Sequence, residues 1–426
     1  MTGSPPSPPD AARRARDGLI VLTLVNLFNY LDRYVVPAVA ESLRHSSLHP
    51  SDAQIGLFVS AFLIVYTVTA PIFGRAGDRA NGRGSRPRLL ALGVLIWSAA
   101  TAAGGLVRSV FQLVLARAAV GVGEAAYGTV GPSLLADYFP RSARGRAFSV
   151  FFLAIPVGSA LGFVVGGLVD HRWGWRAAFF VAGGPGLVLA WLAARLWDAP
   201  RGRHDPDPAP APAAPGVSAA PMALRAALKS LAANRPYRRV VLGYAAYTFA
   251  LGGIAAWMAS FLERVRGLPK ATATAGFGGV VVLTGLVGTA LGGWAGDRWL
   301  RRTPAAYLWL SGAATIVAAP LFALALVAAR PAVFWPAMIG AQLLMFASTG
   351  PINSEIVNAV GPGIRTTAVA VSVFAIHALG DCWSPLLVGW VSDRTTLATA
   401  VLMLPAAAAA AGVIWLRAAA GTPRRA

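Results

Sequence analysis

Cysteine is nearly absent from this chain of 426 residues: Cys382 stands alone in an apolar stretch. No intrachain disulfide can form, and cysteine usage sets no redox compartment. Lysine is as scarce, with Lys229 and Lys270 the only two. Charge of either sign is thin. Asp, Glu, Lys and Arg together make 13% of the residues, where a soluble domain carries about a quarter. An ordinary soluble globule is thereby excluded. The glycine runs contain no Gly-x-x-x-x-Gly-Lys-Ser/Thr, so a phosphate-binding loop for ATP is missing. No Cys/His spacing suits a metal, and no cofactor is expected. Ser384, His377 and Asp381 lie on one helix stripe without a nucleophile elbow or an oxyanion hole. Enzyme chemistry is not expected.

Apolar sequence is what the chain has in quantity. Hydrophobic residues reach 56% and the mean hydropathy is +0.60. Stretches long enough for spans of ~20 residues fall at 19–39, 53–76, 88–107, 109–136, 146–169 and 176–197. Six more fall at 238–263, 273–295, 305–329, 331–359, 364–392 and 396–418. The expected fold is an all-α membrane protein of twelve transmembrane helices in two pseudo-symmetric six-helix bundles. Residues 1–17 read as a disordered cytoplasmic N-terminus, 18–197 as the first bundle and 198–237 as a Pro/Ala-rich cytoplasmic linker. Residues 238–418 read as the second bundle and 419–426 as a cytoplasmic tail. Within the linker, Leu224, Leu228 and Leu231 repeat at helical spacing opposite Arg225 and Lys229, as in an amphipathic helix lying on a membrane surface.

The net charge of +20 is a topology signal. With the N-terminus cytoplasmic and twelve spans following, most Lys and Arg fall on cytoplasmic segments, as the positive-inside rule requires. Nucleic-acid binding is not expected. Arg13, Arg14 and Arg16 precede an apolar run with Ala38-Val-Ala40 beyond, which imitates a signal peptide. Asn29, Asp32 and Arg33 interrupt it, so a retained first span is expected. Scarce Lys with abundant Ala, Arg and Gly suits a GC-rich bacterial source, hence a multi-pass protein of the plasma (bacterial inner) membrane.

Inside that first span lies Asn26-Leu-Phe-Asn-Tyr-Leu-Asp-Arg-Tyr34. On a helix Asn26, Asn29 and Arg33 share a face and Asp32 lies beside it. A charge at the bilayer centre costs roughly 3 kcal/mol on insertion scales, and it persists where it faces other helices or a watery cavity. A coupling site in a transport path and a static pair locking helices are the competing readings.

An internal repeat supports the halving of the chain. Gly74-Arg-Ala-Gly-Asp78-Arg79 closes the second span and Gly293-Trp-Ala-Gly-Asp297-Arg298 closes the eighth. Weaker echoes, Gly166…Asp170 and Gly389…Asp393, close the fifth and eleventh. Recurrence every three helices suits four three-helix units with alternate units inverted. Asp78 could accept from backbone N–H groups at a neighbouring helix N-terminus while Arg79 pairs with Asp137, which makes a conformational latch. A topology-setting charge cluster is the alternative.

Gly74-x-x-Gly-Asp-Arg, followed by Arg83, Arg86 and Arg88, resembles the loop signature of the major facilitator superfamily, with one extra residue before Arg83. Within it the chain resembles the Spinster family. Asn26 to Tyr34, Arg117 to Tyr127 with Pro132 to Asp137, Ala154 to Ser159, and His377-Ala-Leu-Gly-Asp381-Cys-Trp-Ser384-Pro385 carry the likeness. It implies polar cavity residues at Asp32, Arg33 and Glu124, and a lysophospholipid-like or other amphipathic substrate.

Three spans hold further candidates. In the fourth, Arg117 and Glu124 stand two turns apart on one face. Glu124 can carry a proton with Arg33 or Arg117 setting its affinity, or form a permanent pair with Arg117. In the tenth, Asn353 and Asn358 suit helix bridging or the cavity, and Glu355 needs a partner or a proton. In the eleventh, His377, Asp381 and Ser384 form one stripe, read as a proton-sensing site or a packing pair, with Pro385 bending the helix just beyond. Tyr30, Tyr66, Tyr127, Tyr244, Tyr247, Trp257 and Trp383 are the aromatic candidates for the cavity.

Together these residues predict a proton-coupled secondary transporter working by alternating access, a monomer whose partners are its substrate, protons and membrane lipids. A small organic anion symporter, a multidrug exporter and a non-transporting membrane sensor are the alternatives.

Overall fold

The structure is a computed structural model that describes residues 8–79, 85–201, 203–204, 224–361 and 364–422. Among them every regular element is helical. In chain order these are α1 (Pro8–Ala38), α2 (Ala40–Arg44), α3 (Asp52–Arg79), α4 (Ser85–Gly104), α5 (Val110–Tyr138), α6 (Arg141–Trp173), α7 (Trp175–Ala194) and α8 (Leu224–Ala233). They continue with α9 (Arg235–Ser260), α10 (Lys270–Leu300), α11 (Ala306–Val327), α12 (Pro331–Asn358), α13 (Arg365–Ile376), α14 (Ser384–Arg394), α15 (Leu397–Ala400) and α16 (Met403–Ala420). Twelve helical segments among the described residues are long and apolar enough to cross a membrane.

Local signals set several helix ends. Ser109 accepts from the Gln112 amide at 3.2 Å to cap α5. Asn234 accepts from the Tyr237 amide at 3.0 Å to cap α9, with Pro236 in the first turn. Gly174, at φ +80°, makes the tight turn from α6 to α7 in a conformation that L side chains rarely adopt.

The chain forms two compact units, residues 1–42 with 61–217 and residues 43–60 with 218–426. In the first, α1 packs along α6 and α4 lies between α5 and α7. Gly158, Gly162 and Gly166 form a smooth ridge on α6. A Cβ at Gly158 or Gly162 would strike the Leu27 or Leu31 carbonyl of α1. In the second unit, α11 packs on α12 and α16, and α9 on α16. There Gly312 and Gly412 bring α11 and α16 together, because a Cβ on either would meet the other helix.

Large apolar side chains also cover the outside, with Phe111 68% and Trp173 67% exposed. Such surfaces would be unfavourable in water and suit hydrocarbon.

Two expectations about organisation need correction. Residues 8–17, read as disordered, are the start of α1: Pro8 sits in the first turn with Asp10, and Ala11 and Ala15 are buried. Residues 1–7 lie outside the described residues. The stretch Asp52–Ser60 of the second span belongs to the second compact unit. Within the linker, α8 buries Ala227 and Leu231 and turns Leu228 outward at 42% exposure. This buried face packs on α9 and α13, while Arg225, Leu228 and Lys229 stay exposed.

Candidate functional site

In the first unit the intramembrane charges of α1 and α5 pair crosswise. Arg33 Nε donates to Glu124 Oε2 at 2.7 Å. Asp32 Oδ1 accepts from Arg117 Nη1 at 3.3 Å, and Asp32 Oδ2 accepts from the Thr101 hydroxyl of α4 at 2.6 Å. Asp32 and Arg33 therefore do not neutralise each other, and of the two arginines open to Glu124 it is Arg33 that pairs with it, not Arg117. The reason is geometric: neighbouring residues on a helix point about 100° apart, so each reaches a different partner.

The two pairs differ in access. Asp32, Arg117 and Glu124 are buried, whereas the Arg33 side chain keeps 20% exposure. Its guanidinium lies over the rings of Tyr30, Phe62 and Tyr66, 4.8, 5.0 and 5.3 Å from their centroids. Glu124 Oε1 and Arg117 Nε have no hydrogen-bond partner among the described residues. Two acids against two arginines leave the cluster neutral overall. Protonation of Glu124 would release one positive charge beside three aromatic rings.

Other candidates of this unit hydrogen-bond to neighbouring helices. Asn26 Nδ2 donates to the Phe151 carbonyl at 2.8 Å and so ties α1 to α6. The buried Tyr127 donates to the Leu22 carbonyl at 3.3 Å and packs on Trp97 and Phe151. Asn29 is buried and its Nδ2 finds no partner among the described residues.

In the second unit, His377 Nδ1 and Asp381 stand at 2.9 and 3.0 Å. They occupy a π-helical turn, His377–Asp381, which separates α13 from α14. The break therefore runs through the pair itself and not beyond it, since Pro385 already sits in the first turn of α14. Across that wider turn Asp381 and Ser384 still share a face, both meeting α9 at Gly252. Ser384 is fully buried with its hydroxyl unpartnered among the described residues. Trp383, 44% exposed, donates to the Ala378 carbonyl at 2.6 Å. Glu355 is half-buried on α12, without an ion partner among the described residues. Asn353 donates to the Tyr244 hydroxyl at 3.1 Å and the Thr349 carbonyl at 2.8 Å, while Asn358 is exposed.

The expected latch is only partly described. Gly74 lies in the last turns of α3, and the side chains of Asp78 and Arg79 fall outside the described residues. Asp137 accepts from Arg86 Nη1 at 2.5 Å, and Asp198 accepts from Arg86 Nε at 2.8 Å. Arg86 thus ties the start of the linker to α5. In the second unit, Asp297 accepts from the Tyr307 hydroxyl at 2.7 Å, with Arg298 and Gly293 near the end of α10.

One cluster escaped the sequence reading. Asp393 takes the Asp52 and Ala53 amides at 2.8 and 2.9 Å, capping α3. Arg264 grips Asp52 at 2.6 and 3.0 Å, and Arg44 donates to it at 3.1 Å. The Gly389…Asp393 echo was its one visible sign.

A family model described as the Major Facilitator Superfamily matches residues 22–385. Protein spinster homolog 1 of Mus musculus is 34% identical over 398 residues, covering 88% of this chain and 72% of that protein. Sphingosine-1-phosphate transporter SPNS2 of Mus musculus is 32% identical over 390 residues, covering 88% of this chain and 69% of that one. The crystal structure of a bacterial homologue of the human lysosomal transporter Spinster, inward-facing and unoccupied, matches with a TM-score of 0.80 at 24% identity. It covers 98% of this chain and 96% of that one, a likeness of fold. With its twelve spans and its intramembrane charges, the chain belongs to the major facilitator superfamily of membrane transporters and, within it, to the Spinster family.

Proposed function

We propose that the protein is a proton-coupled secondary transporter of a lysophospholipid-like or other amphipathic substrate with an anionic or zwitterionic head group. The observation that carries this reading is the Arg33–Glu124 pair: a buried carboxylate joined to a partly accessible guanidinium among aromatic rings. With Glu124 ionised, Arg33 is neutralised. With Glu124 protonated, Arg33 is free to hold an anionic head group, and Tyr30, Phe62 and Tyr66 offer apolar contact to the chain beside it. Substrate binding and proton uptake are then linked, and each raises affinity for the other by the same factor.

Asp32 and Arg117 are the fixed pair that keeps this chemistry in place. His377 with Asp381, and Glu355, are the proton-responsive groups of the second unit. One pH unit supplies ~1.4 kcal/mol per proton, and the membrane potential adds ~2.3 kcal/mol per charge per 100 mV. Either biases two conformers of similar energy. The Gly-Asp-Arg ends of α3 and α10 serve as conformational latches in alternating access. The protein acts as a monomer in the plasma membrane, with both termini cytoplasmic as the positive-inside rule directs.

Flux of a radiolabelled lysophospholipid and of a sugar acid into proteoliposomes, with and without an imposed pH gradient, tests the proposal. Gradient-driven flux of the lysophospholipid is expected. Flux of the sugar acid alone would overturn the substrate class.

A further inference from the structure

Arg235, Arg238, Arg239 and Leu242 recur at i, i+3, i+4 and i+7 on α9, so they form one stripe on a single helix face. They line a cavity of about 380 Å³ in the second unit. All four side chains are exposed. None of the three arginines pairs with a carboxylate among the described residues, unlike Arg33, Arg86, Arg117 and Arg264. Arg239 reaches toward Gly421 at the end of α16. Leu242, 51% exposed, extends the same face into the apolar span. α8 packs on α9 and adds exposed Arg225, Leu228 and Lys229 just before it in the chain.

Three guanidinium groups without a carboxylate partner among the described residues line an open pocket together with Leu242. We infer that this stripe is a binding site for an anionic phospholipid of the surrounding bilayer. The phosphate is held by Arg235, Arg238 and Arg239, and an acyl chain runs along Leu242. Guanidinium forks match phosphate oxygens, and basic pockets at the ends of spans hold anionic head groups. A free phosphate would use the arginines and leave Leu242 without a role. Charge complementarity and the apolar continuation together select the lipid.

The test uses the full chain, delipidated in detergent and titrated with phosphatidylglycerol, with phosphatidylcholine of the same acyl chains, or with inorganic phosphate. Thermal unfolding gives the apparent affinity. Phosphatidylglycerol should stabilise the wild type well below the concentrations that phosphatidylcholine or phosphate require. At ~1 kcal/mol per surface arginine, R235Q/R238Q/R239Q should weaken that affinity by about a hundredfold. R301Q/R302Q removes exposed charge after α10, on the side to which that helix returns, and should leave the affinity unchanged. Wild-type affinity in the triple variant would overturn the site. An equal loss in R301Q/R302Q would reduce it to net charge, and equal affinity for inorganic phosphate would overturn the lipid assignment. Should the triple variant fail to fold in phosphatidylcholine, R239Q alone carries the test with an expected loss of about fivefold.

Discussion

Arg33 and Asp32 are adjacent in sequence and belong to different ion pairs: Arg33 Nε meets Glu124 Oε2 at 2.7 Å, and Asp32 Oδ1 meets Arg117 Nη1 at 3.3 Å. One pair is partly accessible through Arg33, and the other is sealed. That division of access supports the proposal that Arg33–Glu124 is the exchangeable pair and Asp32–Arg117 the fixed one.

The fixed pair predicts a non-additive stability pattern. Asp32→Asn leaves the Arg117 guanidinium buried without its counter-charge, a loss worth about 3–5 kcal/mol for a buried pair broken on one side. Arg117→Met does the same to Asp32. The double substitution removes both charges and should recover most of the stability, because a neutral pair of similar volume carries no desolvation penalty. Thermal unfolding of the two single variants and the double variant in one detergent checks this, and simple additivity would count against a fixed pair.

Arg33→Lys keeps the charge and loses the planar fork stacked near Tyr30, Phe62 and Tyr66. A charge-assisted contact of this kind contributes about 1.5–3 kcal/mol, so affinity for an anionic amphiphile should fall by roughly tenfold to a hundredfold. Equilibrium binding of lysophospholipid to purified protein measures it. Unchanged affinity would place the head group elsewhere.

Gly158 fixes how closely α1, which carries Asp32 and Arg33, approaches α6. A side chain there meets the Leu27 carbonyl, backbone that cannot move aside cheaply. Gly158→Val should therefore reduce the monodisperse fraction on size-exclusion chromatography and lower the thermal midpoint. Gly184→Ala, whose Cβ would meet nothing within 4 Å, should not.

Asp393 caps α3 through the Asp52 and Ala53 amides. Asp393→Ala should cost about 0.5–2 kcal/mol, as the loss of a helix cap does, and speed hydrogen exchange of those amides. Unaltered protection at Asp52 and Ala53 would show that the Arg264 and Arg44 contacts to Asp52 suffice alone.

Much of the fold is written in hydropathy, since twelve apolar stretches mark twelve spans. The charges within them were equally visible, because an Asp-Arg dipeptide in a lipid-compatible run stands out. Their pairing stays open in the sequence, with Arg33 or Arg117 as the partner of Glu124. Helical spacing pairs Arg117 with Glu124 on one helix, but Arg33 comes from α1, and only packing brings it within 2.7 Å. The same limit hid Asp52 with Arg264, more than two hundred positions apart. Helical spacing also predicted one stripe for His377, Asp381 and Ser384. The π-helical turn adds a residue to the register, yet Asp381 and Ser384 still face α9 together at Gly252. Nothing in the local sequence except Pro385 hinted at it.

The central claim is that Glu124 carries the coupled proton in exchange for its contact with Arg33. Uptake of lysophospholipid into proteoliposomes, driven by a pH gradient, tests it most directly in wild type and Glu124→Gln. The variant should lose gradient-driven uptake and keep exchange of labelled for unlabelled substrate, because an amide holds Arg33 free at every pH. Gradient-driven uptake at the wild-type rate in Glu124→Gln would contradict the assignment.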